Sequence, residues 1–172
     1  WDGKFMGNMT TRRALSLSRN IPALKAFQQV DNSKILEFVQ KLGIKPEIDN
    51  GKIHEAHALG AFDGVNPLQM AAAYSAFSNG GYYNEPYSVN KIIITNTGEE
   101  YTHESEKTKA MEDSTAYMIT SILDDTSITG GGAMENVAMK TGTTNFDENY
   151  RKKLGMADDA IRDSWVVGYT TK

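Results

Sequence analysis

The stretch "VAMKTGTTNF", residues 137–146, sets a lysine in a largely apolar run and follows it at once with Gly142 and more threonines. A phosphate-binding loop is the first reading to test, because Gly130, Gly131 and Gly132 lie just upstream and Thr141 follows the lysine. Such a loop needs G-x-x-x-x-G-K-[ST], so that backbone N–H groups and the lysine converge on one phosphate. Met139 stands where the glycine would have to be, and the spacing excludes the idea. What remains is strand character. "NVAMKTG" and, further on, "SWVVGYTT" read as two strands joined by the polar segment "TTNFDENYRKKLGMADDAIRD", which has room for a helical turn.

Upstream the period changes from two to 3.6. Asn66 as cap and Pro67 at the first helical position open "NPLQMAAAYSAFSNGG", with Met70, Ala73, Tyr74 and Phe77 at helical spacing and Gly80 and Gly81 past the end. Its alanine-rich face implies close packing. "EDSTAYMITSILDD" reads as a second long helix, capped by Asp113 or Ser114, with Ala116, Ile119 and Leu123 inward. Between the two, "YSVNKIIIT" and "YTH" flank the turn "NTGEE" as a hairpin. Nearer the start, Thr10 or Thr11 can cap a short helix through "RRALSL". Pro22 blocks its continuation, so a break falls at residues 18–20. Pro22 suits the first turn of "PALKAFQQV", and Asn32 can cap "SKILEFVQKL", whose Ile35, Phe38, Val39 and Leu42 share a face before Gly43. Residues 46–52 read as a loop.

The 172 residues are 40% hydrophobic, enough for one core and too few for two domains. Acidic residues exceed basic ones by 22 to 18 and no long Lys/Arg block occurs, which argues against nucleic acid as a partner. No apolar run reaches the ~18–20 residues of a membrane span, and no signal-peptide profile is present. With no cysteine, disulfides and thiolate metal sites are excluded. The opening "WDGKF", without an initiator methionine, leads to the expectation that the chain is a piece of something larger.

Several constellations invite chemistry. His54 and His57 in "HEAH" are spaced i, i+3 where a helical zinc pair wants i, i+4, and no third ligand accompanies them, so they read as loop histidines and no metal site is expected. Asp124–Asp125 and Asp158–Asp159 read as solvated charge at element ends. A serine with a lysine base would need S-x-x-K on a helix, and only Ser88 and Lys91 have that spacing. "PYSVNKIIIT" reads as strand, where i and i+3 face opposite ways, so that pair is expected to be inert, as is Ser88-Val89-Asn90. Ser18-Arg19-Asn20 falls at the helix break before Pro22, where capping is the ordinary explanation for both side chains.

Taken together, "RRALSLSRNIPALK", "NPLQMAAAYSAFSNGGYYNEP", "MKTGTTN" and "DSWVVGYTT" resemble the transpeptidase domain of bifunctional (class A) penicillin-binding proteins, over nearly the whole chain. That family lines one cleft with S-x-x-K, S-x-N and K-T-G. The second is matched by Ser18-Arg19-Asn20 and the third by Lys140-Thr141-Gly142, 122 positions on. The resemblance implies an α+β fold of the penicillin-recognising serine transpeptidase and β-lactamase type, a helical cluster with strands of an antiparallel sheet. No S-x-x-K precedes Ser18, and the family continues past the last strand with another strand and a helix. Residues 1–172 are therefore expected to form a partial domain, incomplete at both ends and inactive alone.

By the same resemblance the intact enzyme crosslinks peptidoglycan by D,D-transpeptidation through an acyl-serine. Ser18 would relay a proton and Asn20 would bind the substrate's backbone amide. Lys140 would supply positive charge to Ser18 and to the carboxylate of the stem peptide. Thr141 and Thr143 would offer hydroxyls to that carboxylate, with the N–H of Thr143 as an oxyanion donor, and Gly142 would let the substrate approach the strand. Trp165 and Tyr169 are read as packing. Implied partners are peptidoglycan stem peptides and β-lactams, with the missing N-terminal part of the domain, as a separate chain, a further candidate. No cofactor is implied. The implied location is the extracytoplasmic face of the bacterial plasma membrane, with an anchor outside this chain. A D,D-carboxypeptidase or β-lactamase of the same fold is the rival enzyme, and a helical interaction module is the non-enzymatic alternative.

Overall fold

The computed structural model describes residues 4–129 and 137–170, with the side chains of residues 125–129 excepted. Trp1, the glycines at Gly130, Gly131 and Gly132, and the side chain of Asp125 thus lie outside the described residues. The order is α1 (Thr11–Ser16), α2 (Asn20–Phe27), α3 (Asn32–Lys41), a 3-10 turn (Glu55–Leu59), α4 (Pro67–Ser78), β1 (Tyr82–Asn84), β2 (Lys91–Ile94), β3 (Glu99–Thr102), β4 (Lys107–Lys109), α5 (Asp113–Thr129), β5 (Ala138–Asn145), α6 (Glu148–Leu154) and β6 (Ile161–Tyr169). The strands form three antiparallel pairs, β1 with β4, β2 with β3 and β5 with β6. The α+β expectation holds.

Capping chemistry places the helices. The Asn66 side chain accepts from the Gln69 N–H at 2.9 Å and the Gln69 side chain accepts from the Asn66 N–H at 3.0 Å, a reciprocal box that fixes the start of α4. The alanines of α4 then do what small residues allow. Ala73 and Ala76 are almost fully buried and meet Ala116 of α5, Leu42 and Met111 in the core, with Phe77 and Tyr83 around them. Beyond α4 the chain turns back through Gly81, whose φ is 91° and whose carbonyl accepts from the Ala110 N–H at 2.9 Å. A Cβ at this position would lie 2.2 Å from the Met111 carbonyl oxygen, so glycine is required twice over.

Three local expectations are corrected. The second helix begins at Asn20, with Pro22 already inside its first turn. Asn32 is not the cap of α3, a position taken by Asp31. The Asn32 amide instead receives the Ile53 N–H at 3.0 Å and donates to the Ile53 carbonyl at 2.6 Å, stitching a distant loop to the helix start. Ser88 lies in a bend ahead of β2 rather than in the strand, because pairing starts only at Lys91, opposite Thr102. Ser88 is still no partner for Lys91, whose ammonium reaches Glu100 across the hairpin at 2.5 Å. The polar segment after β5 carries α6, and residues 46–52 form a loop closed by an Asp49–Lys52 bridge.

The site is positioned by the β5–β6 pair lying against α4 and α5. Trp165, Val167 and Tyr169 alternate along β6 as its less exposed residues. Tyr169 stacks on Phe77 with a ring separation of 6.3 Å and meets Tyr74 at 6.4 Å, so its packing role is as expected from the sequence.

Candidate active site

Ser18 is set by how α1 ends. The Arg19 N–H bonds the Ala14 carbonyl at 2.9 Å and the Ser18 N–H bonds the Leu15 carbonyl at 3.0 Å. That is the six-to-one and five-to-two closure of a Schellman motif, with Leu17 as cap and Ser18 at the next position. This position needs the left-handed conformation, and Ser18 has it, at φ 51°. Glycine is usual here because an L-residue pays roughly 1–2 kcal/mol in that region. A serine at a glycine position points to a use for the hydroxyl.

That use is visible in the structure. Lys140, in β5 opposite Val167, donates from Nζ to Ser18 Oγ and also to the Thr141 carbonyl at 2.8 Å. The lysine is half-buried, and this desolvation holds its pKa below the ordinary lysine value. Among the described residues no carboxylate pairs with it. Two motif members 122 positions apart are thus in direct contact, a cation against a strained hydroxyl.

The other candidate residues lie close to this pair in the chain. Asn20 opens α2 two residues after Ser18, exposed and with no side-chain partner among the described residues. Thr141 and Thr143 are exposed on β5, opposite Val166 and Ser164. By strand alternation they share one face, while Lys140 projects from the other. Gly142 has no fold reason to be glycine. Its φ is not positive, and an added Cβ would meet nothing nearer than Trp165 Cβ at 3.9 Å. The outward side of this strand is left open for something else to approach.

The family described as "Transpeptidase: Penicillin binding protein transpeptidase domain" matches residues 1–172. The chain belongs to this penicillin-binding protein family. "Penicillin-binding protein 1A/1B" of Bacillus subtilis is 47% identical over 99% of the chain, so the resemblance to class A proteins holds. The chain spans 19% of that relative's length. A crystal structure of penicillin-binding protein 1A from Haemophilus influenzae superposes with a TM-score of 0.66 at 25% identity, covering 83% of this chain and 27% of that one. Penicillin-binding protein A from M. tuberculosis, solved as a penicillin G acyl-enzyme complex, shares the fold at 17% identity, with a TM-score of 0.72 and coverage of 88% and 39%.

The remaining sequence candidates have structural roles in this penicillin-binding domain. The His54 N–H donates to Nδ1 of His57 at 3.0 Å, which leaves the His57 Nε2 proton for the Glu47 carbonyl at 3.1 Å. The two histidines thereby cap the 3-10 turn, and no cluster of potential metal ligands occurs among the described residues. Asp158 pairs with Arg151 at 3.2 Å. A groove of about 620 Å³ between residues 4–9 and α2 borders the Ser18–Asn20 turn through Arg19 and Ile21, yet neither Ser18 nor Lys140 lines it. Two residues unmarked in the sequence, Arg12 and Thr120, make the bonds that tie α1 and β6 to α5. Neither belongs to a motif, so only the tertiary contacts reveal them.

Proposed function

We propose that the intact protein is a serine D,D-transpeptidase that crosslinks peptidoglycan, and that this chain supplies the S-x-N and K-T-G half of its site. The observation that carries the reading is the bond from the Lys140 ammonium to Ser18 Oγ across 122 positions. A nucleophilic serine outside these residues attacks the D-Ala-D-Ala carbonyl, its C–N bond breaks, and D-alanine leaves with a proton. An amine of a second stem peptide then attacks the ester, forms the crosslink and frees the serine.

Ser18 is the proton relay in both steps. With Lys140 donating to its oxygen, the hydroxyl hydrogen is free to reach the departing nitrogen, and the oxygen can take a proton from the incoming amine. Asn20 holds the substrate amide, and the unpaired Lys140 cation favours the terminal carboxylate, with Thr141 and Thr143 contributing hydroxyls. The Thr143 N–H is one oxyanion donor, and the bare edge at Gly142 admits the peptide. β-Lactams, which present a strained amide and a carboxylate, occupy the same place. The reaction belongs outside the plasma membrane, where peptidoglycan is. Among the described residues no helix is long and apolar enough to cross a membrane.

Fluorescent penicillin should label the full-length protein covalently and leave the isolated 172-residue chain unlabelled; a labelled isolated chain would sink the idea that the nucleophile lies elsewhere. β-Lactam turnover separates the rival chemistries. The transpeptidase acylates and stalls, whereas rapid release of hydrolysed antibiotic would mark a β-lactamase.

A further inference from the structure

Ser18 and Lys140 must be held together by something other than their own elements. α1 has only six residues, too short to keep its own orientation. Its packing partners among the described residues are α2 and α5, and those of β5 are β6 and α5. Among the described residues, α5 packs against both halves of the site.

Two adjacent residues of α5 add side-chain hydrogen bonds to that packing, one on each side. Ser121 receives the Arg12 guanidinium from α1, Nη1 donating to the Ser121 carbonyl at 2.5 Å and Nη2 to Ser121 Oγ at 3.1 Å. Thr120 Oγ1 donates to the Phe77 carbonyl at 3.2 Å, in the last turn of α4, where a helix carbonyl has no partner of its own. A hydroxyl has one proton, so the 2.9 Å contact between Thr120 Oγ1 and the Tyr169 hydroxyl must have Tyr169 as donor. Tyr169 stands opposite Ala138, two positions along the ladder from the Lys140–Val167 pair.

We infer that Arg12 is a positioning residue for the reaction proposed above: its two-pronged grip on Ser121 sets α1, and with it Ser18, at the height on α5 where Lys140 is held through Thr120 and Tyr169. A planar guanidinium making two bonds fixes rotation as well as distance. The inference rests on Ser18 being the relay, and its test separates the two claims.

Penicillin acylation rates are compared for the full-length protein and its Arg12→Ala, Ser18→Ala and doubly substituted forms. Arg12→Ala should cost on the order of 10- to 100-fold, the scale of a misplacement near 1 Å. In the Ser18→Ala background it should cost less than about twofold, because no relay is left to misplace. The same loss in both backgrounds is what a general stabilising role would give and overturns the inference. Arg12→Lys, which keeps the charge and loses the planar fork, should fall between. Amide hydrogen exchange supplies a readout independent of acylation. Peptides over residues 15–20 should exchange faster in Arg12→Ala while those over β6 do not, and unchanged exchange at 15–20 overturns the positioning role. A wild-type protein that fails to react with penicillin would refute the proposed function, with Arg12 still decided by the exchange.

Discussion

Replacing Ser18 by glycine should cost the fold less than replacing it by alanine, and should weaken the enzyme. Ser18 is at φ 51° in the Schellman closure of α1. Removing its Cβ relieves roughly 1–2 kcal/mol of left-handed strain. Glycine's extra freedom in the unfolded chain takes back about 0.5–1 kcal/mol. Ser18→Ala is the matched control, since it loses the same hydroxyl and keeps the strained Cβ. Ser18→Gly should therefore be the more stable of the two, by up to about 1.5 kcal/mol. For a domain of this size that is a difference of up to about 6 °C in Tm. At an ordinary position the order is reversed, so the sign is the readout.

Acylation should fall equally in both variants. Each loses a hydrogen bond to a charged donor, worth about 1.5–3 kcal/mol, or roughly 10- to 160-fold in rate. Thermal unfolding and penicillin acylation of the full-length protein measure the two effects separately. An alanine variant at least as stable as the glycine one would refute the backbone argument. Acylation retained within about threefold in both would refute the relay.

Three further outcomes follow from the same geometry. Because burial lowers the Lys140 pKa, its ammonium should be lost below the ordinary lysine value of about 10.4, and the alkaline limb of the acylation profile should lie correspondingly low. Lys140→Arg, charged throughout, should move that limb upward, and an unmoved limb would assign it to another group. In the window between the lowered native value and the unfolded one, the unfolded chain binds more protons, so this residue makes stability rise with pH. Gly142→Ala should leave Tm unchanged or slightly higher, since the nearest atom is 3.9 Å away, while slowing acylation by placing a methyl in the path of the substrate. If acylation is unaffected, the approach along this strand is wrong. Gly81→Ala should cost at least about 2 kcal/mol in urea denaturation, combining left-handed strain with a 2.2 Å approach to the Met111 carbonyl.

Where a signal is local, the sequence carries it. Asn66, Pro67 and Gln69 specify the start of α4 through bonds spanning three residues, and the helical spacing of Met70, Ala73, Tyr74 and Phe77 states which face turns inward, all four being buried or half-buried. The strands β5 and β6, the helical turn between them and an interruption between α1 and α2 were legible for the same reason, although α2 already begins at Asn20. The motifs Ser18-Arg19-Asn20 and Lys140-Thr141-Gly142 could be recognised as words without knowing where they sit.

Tertiary structure decided what depends on distant partners. Asn32 looks like a cap in the one-dimensional chain, yet its amide is more fully satisfied by the Ile53 backbone, 21 positions away. The left-handed Ser18 is invisible in composition, since serine has no preference for that conformation and the closing bonds of α1 impose it. Whether Lys140 is a solvated strand lysine or a relay partner depends on contact across 122 residues, and no local propensity encodes such a distance. The bracket from Arg12 through Ser121 and Thr120 to Tyr169 exists only because α5 packs against both halves at once. The sequence names the candidate groups; the packing of helix on sheet makes Ser18 and Lys140 neighbours and sets the burial that lowers the lysine's pKa.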